Sequence, residues 1–400
     1  MARTYDITAS LYYEQGLYNE ALDYYGKSLT IRESVLGTNH PDTAKTYNNM
    51  ALVYDAQGLY EKALDFYQKA LVIQEAVLGK NNQDTATTYD NIATVYYEQG
   101  LHNKALGFYG KSLAICEATL GKKHKDTATT YGNMASVYNA QGLYDKALEF
   151  NRKCLTIQET VLGKNHPEIA STYNNIASVL FKQGLLDEAL NLNKKCLAIR
   201  ETVLGKEHPD TAMTYNNMAT VYLTQGFLTK ALELNNKALV IKKAIFGNNH
   251  PETATTYNNM ASVYYKQGLL DWSLEFYHKA LAIQKSVLGE NHPDSATTYD
   301  NIATVYYEQG LYEEALDFNR KCLEIRESIL GKDHLDTASA YKLAALLYHA
   351  QGAKGKALNL FQKAYCGFEK ALGIDHKETK VIKENIDTLS NALCGGACHQ

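Results

Sequence analysis

Apolar residues recur along this chain in short helical stripes. Tyr47, Met50, Ala51 and Tyr54 fall at i, i+3, i+4 and i+7, which places one buried stripe on an α-helix. A second stripe follows at Tyr60, Ala63, Leu64, Tyr67, Ala70, Leu71, Val77 and Leu78. Gln57-Gly58 stands between them, and glycine ends a helix because it takes the left-handed cap conformation cheaply. Gly79 ends the second helix. A loop of the kind GKNHPEIA (163–170) or GKEHPDTA (205–212) leads into the next one. Its proline suits the first helical position, and the acid after it favours the helix N-terminus. Small residues at Ala51 and Ala63 let the paired helices approach closely.

The pair itself recurs. Gln-Gly stands at Gln15, Gln57, Gln99, Gln141, Gln183, Gln225, Gln267, Gln309 and Gln351, every step being 42 residues. A strict period in this range means a solenoid, because one helix pair cannot bury its own stripe and must stack on its neighbours.

The repeat reads Y-x-N-[MI]-A-x-V-Y-x-x-Q-G-L-[YL]-x-x-A-L-x-x-[YN]-x-K-[AC]-L-x-I-x-x-x-[VI]-L-G-x-x-H-P-[DE]-T-A. This pattern is similar to the tetratricopeptide repeat, whose usual length is about 34 residues. The 42-residue form, with its longer second helix and L-G-x-x-H-P-D loop, resembles the repeats of kinesin light chains and nephrocystin-3-like proteins. The resemblance implies an all-α fold, a right-handed superhelical solenoid of about nine helix pairs over residues 1–375. A capping helix is expected over 376–393, with Ile382, Ile386, Leu389 and Leu393 as its apolar stripe, and a flexible tail over 394–400. Tyr5 matches Tyr47 without an H-P-D-T segment before it, which points to a fragment or a truncated gene product.

One polar residue repeats inside the first helix. Asn49 recurs as Asn91, Asn133, Asn175, Asn217, Asn259 and Asn301, with Ile7 in the first unit and Leu343 in the last. The resemblance implies that first helices line a concave groove, where the matching asparagine holds the backbone of an extended peptide. A carboxamide offers donors and an acceptor, so it suits a peptide N–H and C=O together. Stacked helices lie about 8–10 Å apart and an extended peptide rises about 3.3 Å per residue, so each asparagine meets roughly every third peptide residue. A net hydrogen bond contributes only about 0.5–1.5 kcal/mol. Association costs about 4–15 kcal/mol, so side-chain pockets must supply the rest. The alternative is that these asparagines tie neighbouring helices together.

A variable position further along the first helix supplies candidate pockets: Tyr13, Asp55, Tyr97, Asn139, Phe181, Leu223, Tyr265, Tyr307 and His349. Its aromatic bias, with Tyr97, Phe181, Tyr265 and Tyr307 as the candidates, suits apolar peptide side chains; a solvated tyrosine face is the alternative. The next position alternates in charge, with Glu14, Glu98 and Glu308 against Lys182 and Lys266. Lys45, Asn49 and Asn91 look like half of the carboxylate clamp of co-chaperone repeats. Thr129 and Asn133 stand where its remaining basic residues belong, which argues against a clamp. The basic groove with which kinesin light chains select acidic cargo is likewise missing.

Forty basic against forty-four acidic side chains leave no basic face for nucleic acid. No run of eighteen apolar residues suggests membrane insertion. Seven scattered cysteines fit a reducing, cytoplasmic setting. Cys154, Cys196 and Cys322 share a position where other units carry Ser or Ala, which marks a tight buried contact. The tail groups Cys394, Cys398 and His399, three ligands with no fourth. His40, His124, His166, His208, His250, His292, His334 and His376 recur once per unit, too far apart to share a metal whose ligands sit at about 2 Å. They are expected to pack or hydrogen-bond where the helix begins. No phosphate loop, nucleophile or carboxylate pair departs from the periodic background, so no enzyme and no cofactor are expected. The expected role is a scaffold or adaptor for protein partners through linear peptide motifs. The rivals are a kinesin light chain-like cargo adaptor and the sensor array of a larger protein with a nucleotide switch. Kinesin heavy chain as partner is unsupported, since no heptad segment is present.

Overall fold

The computed structural model describes residues 1–395 of the chain, and among these every regular element is an α-helix. The protein falls into two compact units, Met1–Val203 and Leu204–Gln400. The first unit holds five helix pairs. Its first helices are α1 (Ala2–Glu14), α3 (Pro41–Ala56), α5 (Gln83–Glu98), α7 (Lys125–Ala140) and α9 (Pro167–Lys182). Its second helices are α2 (Tyr18–Leu36), α4 (Tyr60–Val77), α6 (His102–Thr119), α8 (Tyr144–Val161) and α10 (Leu186–Val203). The second unit pairs α11 (Pro209–Thr224) with α12 (Leu228–Phe246) and α13 (Pro251–Lys266) with α14 (Leu270–Val287). It then pairs α15 (Pro293–Glu308) with α16 (Tyr312–Ile329) and α17 (Leu335–Ala350) with α18 (Lys354–Leu372), and α19 (Lys377–Gly395) follows.

Each turn within a pair is a glycine cap. Gly58 sits at φ +71°, its N–H donates to Asp55 O at 2.8 Å, and the Leu59 N–H donates to Tyr54 O at 2.9 Å. These are the two bonds of a Schellman motif, which satisfy the last carbonyls of the helix. The turn between pairs is built by the H-P-[DE]-T segment. The His40 Nδ1 accepts the Asp42 N–H at 3.1 Å, so the histidine is the N-cap. Asn82 does the same for α5 with its carboxamide oxygen at 2.9 Å. The Thr43 hydroxyl donates back to Gly37 O at 3.0 Å and closes the end of the preceding helix. His40 also lies 3.9 Å from the Asp42 carboxylate, but Nδ1 needs its lone pair for the cap and cannot pair as a cation at the same time.

The pairs meet through alanine. Ala51 and Ala63 are fully buried, as are Ala261 and Ala315 in the second unit. Tyr67 and Leu71 fill the core beside them. The stripe of α4 then runs through Gln74, which is buried, while Val77 in the last turn is exposed. In α19, Ile382 and Leu389 are buried and Ile386 packs beside them, with Phe361 and Phe368 in the same cluster; Leu393, one turn further, is exposed.

Candidate functional site

First helices touch their counterparts in the next pair: α3 with α5, α5 with α7 and α7 with α9 in the first unit, α11 with α13 and α15 with α17 in the second. Among the described residues no two second helices approach as closely within a unit. The first helices are therefore the face on which consecutive pairs come closest, and the residues they present between contacts are the candidate site.

Two adjacent asparagines on this face do different work. The residue before the ladder position, except where it is Gly132, serves the joint between pairs. Asn216 Nδ2 donates to the Thr256 hydroxyl at 2.9 Å, and Asn258 Nδ2 to the Thr298 hydroxyl at 2.8 Å. The Asn48 carboxamide oxygen lies 3.2 Å from the Thr88 hydroxyl. Where the residue is an acid it takes a cation instead: Asp6 pairs with Arg32 at 2.6 Å and Asp300 with Arg326 at 3.0 Å. Asp90 has no such cation, because Cys116 occupies the place of those arginines. It accepts from Thr130 at 3.2 Å, and its pKa is pushed up to about 6, chiefly by burial and partly by the charge of Asp126.

The ladder side chains themselves are left over. Asn49, Asn133, Asn175, Asn259 and Asn301 are at least partly exposed, and among the described residues their carboxamides make no hydrogen bond. Asn91 Nδ2 reaches only Asn48 Oδ1, at 3.5 Å. Asn217 is partly exposed and has a partner within the chain.

The variable position lies on the same helices. Tyr97, Phe181, Tyr265 and Tyr307 are all half-buried. Tyr97 leans on His102 and Tyr307 on Tyr312, at ring-centroid distances of 6.1 and 5.9 Å, so each rests on the start of its own second helix. The pKa of Tyr265 is raised by burial and then by the charge of Glu308. Asp55 replaces the tyrosine in the first unit. Lys45 stands 3.7 Å from Asp84, so the lysine of the clamp pattern has a carboxylate of its own chain beside it.

The remaining candidate chemistry is absorbed by the fold. Cys154, Cys196 and Cys322 are buried, and burial pushes the Cys322 thiol up to about 12. Among the described residues no three His, Cys, Asp or Glu side chains converge as a metal would need, and no helix is long and apolar enough to cross a membrane. The tail group of Cys394, Cys398 and His399 falls outside the residues whose side chains are described. The sequence reading missed the glutamine of Gln-Gly as a cross-repeat bond. Gln183 Nε2 donates to Asp145 Oδ1 and Gln309 Nε2 to Asp271 Oδ1, both at 3.0 Å. Its strict recurrence was the available signal.

A tetratricopeptide repeat profile matches in overlapping spans from residues 1–76 through 301–370. Among curated proteins, none matches the sequence. Similar solved structures include BtubC (BKLC) from P. vanneervenii, 22% identical over 57% of this chain and 92% of that one, with a TM-score of 0.51. The quorum sensor NprR from B. thuringiensis is 16% identical over 80% of this chain and 87% of its own, with a TM-score of 0.59. A signal-transduction ATPase with a tetratricopeptide repeat sensor, from Pyrococcus horikoshii, is 17% identical with a TM-score of 0.54. It is matched over 94% of this chain and 55% of its own.

Proposed function

This chain belongs to the tetratricopeptide repeat family, and on that premise we propose that it is a non-enzymatic scaffold that binds extended peptide segments along its first-helix face. The observation that carries the reading is the contrast between neighbouring asparagines. Asn258 is consumed by the joint between pairs, while Asn259 beside it is partly exposed with no hydrogen bond. At five of the seven pairs that carry it this carboxamide is at least partly exposed and unused by the fold, which suits it to meet a backbone N–H and C=O from outside. Tyr97, Phe181, Tyr265 and Tyr307 are the side-chain pockets that turn a weak backbone grip into selection. Single contacts of this kind bind weakly, and a partner spanning several pairs gains by avidity.

The test is a display selection of random peptides on the full chain beside the double variant Asn133→Ala/Asn175→Ala. The wild type is expected to enrich a motif. The variant is expected to lose it while keeping its circular dichroism spectrum and its Tm, since neither side chain bonds within the fold. An unchanged motif in a folded variant overturns the reading.

A further inference from the structure

Asp55 and Glu98 stand on the first-helix face of the first unit, on α3 and α5, and neither has a cationic partner among the described residues. The Asp55 Oδ1 is shut off from solvent and accepts no hydrogen bond. Tyr67 on α4 is fully buried, and its hydroxyl is likewise without a partner. Tyr25, Tyr109 and Tyr277 each reach the first-helix residue fifteen positions earlier, so the Tyr67 hydroxyl lies at Leu52, one turn of α3 before Asp55, and the charge of Asp55 acts on it as on Tyr13 and Tyr60. Glu98 on α5 stands 43 positions from Asp55, the step at which Asn91 meets Asn48 across the same two touching helices, and its charge acts on Asp55 and on Tyr97.

The second unit shows what the fold does when this place is self-sufficient. Its α15 nearly repeats the sequence of α5, and Glu308 corresponds to Glu98. There Tyr265 stands in the position of Asp55, and the charge of Glu308 acts on its neutral, protonated hydroxyl instead of on a second carboxylate. A buried tyrosine hydroxyl is also normally satisfied here: Tyr25 meets Ser10 at 2.9 Å, Tyr109 meets Thr94 at 2.8 Å and Tyr277 meets Ser262 at 2.8 Å. For Tyr67 the matching residue is Leu52, which has no polar atom to offer. The first unit thus replaces a tyrosine by a second acid and leaves a buried hydroxyl unanswered about one helical turn away. Asp55 is half-buried with one carboxylate oxygen shut off and unpaired, which costs stability, and a cation from outside would relieve that cost.

We propose that Asp55 and Glu98, with the Tyr67 hydroxyl about one helical turn away and Tyr13, Tyr60 and Tyr97 around them, form a receptor for an arginine or lysine side chain of the bound peptide. The inference rests on the peptide-binding reading and names the residue class that this segment of the face selects. The two carboxylates pair with the cation by charge-assisted hydrogen bonds. The tyrosine rings offer their faces to its charge. A planar guanidinium fits two acceptors and a ring better than an ammonium does, so arginine is preferred over lysine.

Random extended peptides displayed on phage are selected on the full chain, on Asp55→Asn and on Asp317→Asn. Asparagine is native at this position as Asn139, so Asp55→Asn should fold. Asp317→Asn removes the same charge from an exposed second helix of the other unit. The wild type is expected to enrich arginine or lysine at one motif position by about tenfold or more, as charge-assisted bonds allow. Asp55→Asn is expected to keep the rest of the motif and lose that preference, and Asp317→Asn to keep both. A motif without a basic residue, or a basic preference that survives Asp55→Asn, overturns this proposal and leaves peptide binding standing. An equal loss in Asp317→Asn reduces the preference to general attraction and overturns it too. Enrichment of no motif at all overturns both readings.

Discussion

Asn48 and Asn49 differ by one step in the chain and by about 100° of rotation around the helix, and that rotation assigns their roles. One points into the joint beside Thr88; the other points out with nothing to bond. The recurrence of the outer asparagine was legible in the sequence, and tying neighbours together was an open alternative for it. In the structure the residue before it makes most of the ties, as at Asn48, Asn216 and Asn258, and of the outer asparagines Asn91 also reaches across, to Asn48. The same joint shows what an unpaired acid does. Asp6 and Asp300 have arginines, whereas Asp90 is half-buried with Cys116 in the arginine's place, and its pKa is pushed up to about 6. An unfolded aspartate has a pKa of about 3.9, so the native state binds the proton more readily. Its carboxylate therefore costs nothing below the unfolded value, and the cost grows as pH rises through about 6. Asp90→Asn is expected to raise the Tm at pH 7.5 and to leave it unchanged at pH 3.5, where both proteins carry a neutral side chain. Differential scanning calorimetry at the two pH values checks this, and an equal gain at both would assign the effect to packing.

For the helices, the starts and stops were the most legible features. Glycine at φ +71° after Gln57 and proline at the first position of α3 are local choices with local causes, so they show in any one unit. The histidines needed the structure. Their spacing excluded a shared metal, but a cap is a bond to the N–H two residues on, and histidine is not among the usual cap residues. His166 accepts the Glu168 N–H at 3.3 Å, and Asn82 shows that a carboxamide serves equally. His166→Asn is expected to be neutral, and His166→Ala to cost about 0.5–2 kcal/mol in urea unfolding. If both substitutions cost the same, the histidine acts through packing and not as a cap.

At the scale of the molecule, the period makes a deletion test available. Excising residues 252–293 removes one unit and brings Thr298 to the place of Thr256, opposite Asn216, so the joint is rebuilt from like parts. The shortened chain is expected to fold cooperatively with two fewer helices by circular dichroism, because each pair contacts only its neighbours. Loss of a cooperative transition would mean that the pairs are not interchangeable. What could be read without coordinates was everything that depends on spacing along one helix or on the 42-residue step: element type, turns, the family and the outward asparagine position. The nearness of Asp55 to Glu98 and Tyr67, the pairing of Asp6 with Arg32 and the bond from Gln183 to Asp145 were not readable in this way. Those residues lie 12 to 43 positions apart on different helices. A helical pattern sets which face a residue occupies, but not which side chain of the neighbouring helix stands opposite it; only packing brings the two together.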